Sequence, residues 1–197
     1  YNSQLVIGLA GEGGSPPGVQ MFNPNTDQFG NGRLIAGLPS NIVNGFADST
    51  GVLYIATDGG IGRWNYTTND WMDSITASNG LPTNVVEDVV VIGSKVYMAT
   101  PLGIFVWDPS TQSGTTLTKT NGLMGQSAWS LAVNTNNVGV STLIVGHDGR
   151  GAVDRPGVSL VDPSTLQVSS THRFDQLPSN TVTALAADWW GIHMATD

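Results

Sequence analysis

The sequence predicts an all-β fold in which one four-stranded antiparallel unit recurs along the chain, and three observations predict it. The first is repetition. Leu-Pro-Ser/Thr-Asn opens at Leu38, Leu81 and Leu177, and each copy runs to a matching end: LPSNIVNGFADSTGVLYIATD, LPTNVVEDVVVIGSKVYMATP and LPSNTVTALAADWWGIHMATD. The second is punctuation. Twenty-five glycines and ten prolines mark many corners, and no long window carries a 3.6-residue apolar period. The third is charge. Only 11% of the 197 residues are charged, against about 25% in ordinary soluble domains. The polar surface therefore comes from Asn, Ser, Thr, Gln and Gly, which suit turns and exposed strand faces better than helices.

The elements follow in order. Leu5 to Leu9 is a short apolar strand, Ala10 to Gly18 a Gly/Pro loop, and Val19 to Asn23 an alternating strand. Residues 28–36 are a weak outer strand. Ile42 to Ala47 and Val52 to Thr57 are strands joined by Asp48-Ser49-Thr50-Gly51, with Gly51 suited to a positive φ. Ile61 to Trp64 and Trp71 to Ala77 complete that unit. The next unit has strands at Val85 to Ile92, Lys95 to Thr100, Ile104 to Asp108 and Thr115 to Thr120. In the fourth, Ala128 to Asn134 leads through an enlarged hairpin, Thr135 to Ser141, to Leu143 to Val145. A loop from His147 to Gly157 follows, then strands at Val158 to Asp162 and Gln167 to Arg173. Thr181 to Ala187 and Gly191 to Thr196 are the last two strands.

The third strands end alike at Phe22, Trp64, Trp107 and Val161, which are spaced 42, 43 and 54 residues apart. A four-strand unit recurring at about 40–45 residues is a propeller-blade period. One such sheet leaves both faces uncovered, and stacking blades around an axis buries them. The expected architecture is a β-propeller of four-stranded antiparallel blades within a single domain, 1–197. Its repeats lie at about 4–36, 37–79, 80–121, 122–176 and a partial 177–197.

The pattern Gly-Leu-Pro-Ser-Asn, strand, Asp-x-x-Gly, an apolar strand ending in Ala-Thr, Gly-Gly-Ile and an aromatic-Asn/Asp end resembles the two-component-regulator propeller repeats. Gly37 to Asn65 matches best. Gly80 to Asp108 has Ile-Gly-Ser-Lys at the hairpin, Leu177 to Asp197 has Asp-Trp-Trp-Gly there, and Gly122 to Gln126 lacks the Pro-Ser-Asn. The resemblance implies an extracytoplasmic sensor propeller, of a kind often fused to histidine kinases, with the strand after Leu-Pro-Ser-Asn innermost. In that phasing the chain starts on a second strand and stops on another. The expectation is part of a larger ring, or a ring closed by several copies.

Composition narrows the function. Fifteen acids against seven bases give a net charge of −8, so neither nucleic acid nor an anionic membrane surface is an expected partner. Without cysteine there is no disulfide framework and no thiolate metal site. No apolar run reaches the roughly 18 residues of a membrane span, so no direct membrane insertion is expected. The chain starts at Tyr1 without Met, as a processed chain or a piece of a longer one does. Composition leaves the compartment open, and it is the resemblance to the two-component-regulator propeller repeats that implies an extracytoplasmic or cell-surface location.

The two long loops emerge on one face and hold Glu12, His147, Asp148, Arg150, Asp154 and Arg155, a dense patch in a sparsely charged chain. A rigid scaffold presenting such loops suits recognition. Trp189 and Trp190, in a predicted hairpin turn, add an aromatic contact surface. Trp64 and Trp107 stand at equivalent repeat positions and are expected to pack between blades. His147-Asp148 has no second His at ligand spacing, so neither a metal nor any other cofactor is expected. No Gly-x-Ser-x-Gly elbow or phosphate loop appears. The favoured reading is a non-catalytic module that binds a protein or carbohydrate ligand. A structural module of a larger assembly is the alternative, with self-assembly or fusion to further blades. A polysaccharide-acting hydrolase or lyase is the third reading; it calls for carboxylates facing across the axis with raised pKa values.

Overall fold

The computed structural model describes residues 5–9, 18–29, 37–148, 157–173, 182–188 and 190–196. Their strands form five antiparallel sheets. The first sheet holds β1 (Leu5–Leu9), β2 (Gly18–Asn23) and β3 (Gln28–Phe29). The second is β4 (Val43–Ser49), β5 (Val52–Thr57), β6 (Gly60–Asn65) and β7 (Asp70–Ile75). The third is β8 (Asp88–Ile92), β9 (Lys95–Thr100), β10 (Gly103–Asp108) and β11 (Ser113–Leu117). The fourth is β12 (Ala128–Thr135), β13 (Ser141–His147), β14 (Gly157–Val161) and β15 (Val168–Arg173). The fifth is the pair β16 (Val182–Ala187) and β17 (Ile192–Thr196). Spatial order follows chain order in every sheet, as short hairpin connections require.

Period-two alternation explains the stacking. In β9, Val96 and Met98 enter the core between the second and third sheets, beside Tyr54, Ala56, Phe105 and Trp107. Tyr97 and Ala99 enter the next core, beside Leu131, Leu143 and Val161. β5 divides the same way, with Leu53 and Ile55 packing toward Val19 of the first sheet. A strand buried on both faces reads as a near-continuous apolar run, and VLYIA and KVYMA are such runs. Each aliphatic side chain buried this way contributes roughly 1.5–3 kcal/mol. Trp64 and Trp107 both face the preceding sheet, as their shared repeat position requires, and Trp64 meets Trp71 edge-on at 5.3 Å. The first strands of successive sheets lie side by side, β4 against β8, β8 against β12, and β12 against β16. The described residues thus form stacked propeller blades, three of them four-stranded, but show no closed ring.

Several expected boundaries move. The strands expected to reach Ala77 and Thr120 stop at Ile75 and Leu117, and 3-10 turns follow at Ala77–Asn79 and Lys119–Asn121. Asn79 Oδ1 accepts from the Thr76 N–H and Asn121 Oδ1 from the Thr118 N–H, both at 2.9 Å. Gly80 and Gly122 then close the turns at φ 92° and 99°, where a Cβ is strained. The strand expected from Val85 begins at Asp88, because the Val86 N–H donates across to Thr57 O of the neighbouring sheet at 3.0 Å. Of the outer strand expected over 28–36, Gln28–Phe29 is formed and residues 30–36 lie outside the described residues.

Candidate functional site

Three of the first strands break register at the same place: between Val43 and Gly45, between Ala128 and Ser130, and between Val182 and Ala184. In the third sheet the Glu87 N–H donates to Ala99 O while Asp88 is also paired with Ala99. Each is a β-bulge, which leaves one residue outside the ladder and re-aims it. The extra residues are Asn44, Glu87, Trp129 and Thr183, the seventh residue of each aligned opening. All four line one cavity of about 430 Å³ among the first strands. Their bulges sit at the end of the strand nearest the corner between second and third strands. The cavity therefore lies toward the end of the sheets that carries those corners.

The walls are tied together by side chains. Asn44 Nδ2 donates to Asp58 Oδ1 and to Val86 O, both at 2.9 Å. Asp88 Oδ1 accepts from its neighbour Val89 N and Oδ2 from Leu131 N of the next sheet, each at 2.8 Å. A Cβ on Gly45 would lie 2.8 Å from Asp88 Oδ1, so the carboxylate also demands glycine on the preceding first strand. Burial raises the Asp88 pKa against the lowering effect of those two N–H donors. Glu87 is raised too, by burial first and then by the carboxylates of Asp58 and Asp148. Ser130, at the repeat position of Asp88, has a shorter side chain; it is 3% exposed and its Oγ has no partner.

The corners explain His147. In the second sheet Thr57 Oγ1 donates to Gly60 O at 2.7 Å and accepts from Gly59 N at 3.1 Å. Thr100 repeats this with Gly103 O and Leu102 N at 2.8 and 3.2 Å. His147 occupies the equivalent position, paired with Gly157 as Thr57 is with Gly60. The sequence places it in the loop; the structure makes it the last, fully buried residue of β13. Its Nδ1 lies 3.0 Å from Ser127 O, which can only accept, so Nδ1 carries the proton. Its Nε2 then accepts from Ser159 Oγ at 2.8 Å, and Ser159 Oγ accepts from Met124 N. This buried Ser–His pair fastens the corner and presents no surface to a substrate.

Of the other expected site residues, Asp148 is half-buried beside the corner, where its charge acts on Glu87. Trp190 is 77% exposed on the β16–β17 hairpin, at the opposite end of the sheets, so the structure does not bring it to the cavity. Glu12, Arg150, Asp154, Arg155 and Trp189 lie outside the described residues. Among the described residues no group of three or more His, Asp or Glu is arranged to hold a metal. The two cavity carboxylates, Glu87 and Asp88, are successive residues of one chain segment and not a pair facing across the axis. Sequence reasoning missed the four bulge residues. Aligning the openings reveals their signal: Asn, Glu, Trp and Thr where the preceding position is Val or Ala.

No protein-family model matches the sequence, and no curated protein matches it. Solved structures do. The extracellular domain of the putative hybrid two component system BT4673 from B. thetaiotaomicron aligns over 90% of this chain at a TM-score of 0.67 and 17% identity. A second structure of that domain, described as a putative one component system, gives 0.67 and 16% over 93%. The WD40 repeats of RRP9 align over 85% of this chain and 49% of their own, at 0.58 and 14% identity. The chain spans 22% and 24% of the two BT4673 domain chains. At these identities the likeness is one of fold: stacked antiparallel blades of the propeller and WD40 kind.

Proposed function

We propose that this chain is a recognition propeller, a non-catalytic ligand- or protein-binding module of an extracytoplasmic sensor or surface protein, with its binding site at the axial cavity. The observation that carries the reading is the convergence of four bulge residues, one from each of four successive blades, on a single cavity. Bulges cost ladder hydrogen bonds and recur where a side chain is re-aimed at a site. The fold shared with an extracellular sensor domain supports the location, and no helix among the described residues is long and apolar enough to cross a membrane. In this reading the five repeats belong to one propeller domain of the two-component-regulator kind, Asp148 belongs to the recognition surface, and Glu12, Arg150, Asp154 and Arg155, which lie outside the described residues, are proposed as further recognition residues of the two long loops.

The test is titration of the isotope-labelled chain with neutral and acidic oligosaccharides and with small amines, followed by backbone amide NMR. Shift changes gathered at Asn44, Glu87, Trp129 and Thr183 are expected. Changes confined to other regions, or absent for every solute, would sink the axial site. A second reading has its own observation. Val138 and Val140 are 82% and 59% exposed on the β12–β13 hairpin, and Trp190 is 77% exposed on the β16–β17 hairpin. Asn134 Nδ2 ties the two hairpins through Asp188 O at 3.0 Å. This apolar edge suits a structural module of a larger assembly, and a solution mass at a multiple of 20.6 kDa favours it.

A further inference from the structure

We infer that the axial cavity takes a small organic cation of the alkylammonium class, held between the Glu87 carboxylate and the Trp129 indole. The inference rests on the axial site proposed above and names its ligand chemistry. The cavity of about 430 Å³ suits a small organic solute. Its described lining has no basic side chain. Asn44 donates both amide hydrogens to Asp58 and Val86, so its own carbonyl oxygen is what it can offer a ligand. Asp88 is held by the N–H groups of Val89 and Leu131. Ser130, which lines the cavity, is 3% exposed with an unpartnered Oγ. Burial raises the cost of the Glu87 charge, and the carboxylates of Asp58 and Asp148, on the blades to either side, add to it by repulsion. A bound positive charge relieves that repulsion, whereas a neutral hydroxylated solute does not. Trp129 adds an aromatic wall, which favours an ammonium over a compact metal ion. Arg150, Asp154 and Arg155 follow Asp148 in the chain and lie outside the described residues.

The experiment is calorimetric titration of the full chain with choline and with its neutral isostere, 3,3-dimethylbutan-1-ol. Saturable choline binding is expected, with the isostere weaker by about tenfold or more, a difference within reach of one desolvated cation–π contact and one ion pair. Glu87→Gln is expected to weaken choline about tenfold. Choline affinity is also expected to fall with added salt and as acid protonates Glu87. Equal affinity for both solutes, no choline binding, or no change in Glu87→Gln overturns the inference. If oligosaccharides shift the four bulge residues while choline does not bind, the cation class is wrong and the axial site stands. If no solute shifts them, the axial site itself falls.

Discussion

At the scale of single residues, the informative groups are polar ones held between blades. Glu87 is raised above its ordinary value of 4.5 by burial and by Asp58 and Asp148. A raised carboxyl binds its proton more tightly in the folded chain than in the unfolded one. Its ionisation therefore opposes folding, and stability is lost as pH climbs through the raised value. Glu87→Gln removes that charge. The variant is expected to melt above the wild type at pH 7, with the advantage vanishing as pH falls below 4.5, where both chains are neutral at this position. Thermal melts at several pH values check it, and a variant that melts lower at pH 7 contradicts the account. Tyr97 is the alkaline counterpart. Its phenol donates to Pro163 O of the next sheet at 2.8 Å, and burial, with help from Asp162, pushes it up to about 12. Its contribution is complete below pH 10 and is lost as pH rises toward about 12. Tyr97→Phe keeps the ring but breaks the tie. It is expected to cost about 1 kcal/mol at neutral pH and to flatten alkaline destabilisation, as read by denaturant titration at pH 8 and 11.

At the scale of elements, the corner between second and third strands is a repeated device with two chemical solutions. Thr57 and Thr100 close it with one hydroxyl, and His147 closes it with a ring that reaches Ser127 and Ser159. The hydroxyls of Thr57 and Thr100 are buried and bonded to backbone in the same geometry. Thr57→Val and Thr100→Val are therefore expected to lose similar stability, about 1–2 kcal/mol each. Urea denaturation of both variants is the check; a large difference between them denies the equivalence of the corners. These corners also show what a sequence reveals. Lys95 to Thr100 was legible to the residue, since alternation and both-face burial agree there. His147 was not, because a histidine before Asp-Gly-Arg reads as loop, and only strand register identifies it as a threonine equivalent. The bulge residues were hidden for a related reason. A bulge inserts one residue into a period-two pattern, so Glu87 looks like a misplaced strand residue until Ala99 is seen opposite both it and Asp88.

At the scale of the molecule, the described residues form a row of five sheets joined by four apolar interfaces, one between each pair of neighbours. The repeat period announced this arrangement. Ring closure stayed out of reach, because the alternation that buries each face says nothing of how many faces there are. The burial is uneven. Residues 96–100 of β9 are at most 1% exposed, while β17 alternates between half-buried and exposed residues, with Ile192 and Met194 packed toward the fourth sheet. In a stack coupled only through nearest neighbours, damage at one interface weakens the two sheets that share it and fades beyond them. Met98 tests this, since it is fully buried between the second and third sheets while its neighbours Tyr97 and Ala99 face the other way. Met98→Ala is expected to cost roughly 2–5 kcal/mol through lost contacts and a residual cavity. Amide hydrogen exchange should then rise most in β5, β6, β9 and β10, with β16 and β17, expected to exchange faster already in the wild type, little changed. A uniform rise across all five sheets would mean that the blades open as one cooperative unit, and nearest-neighbour stacking would then be the wrong account of what holds this molecule together.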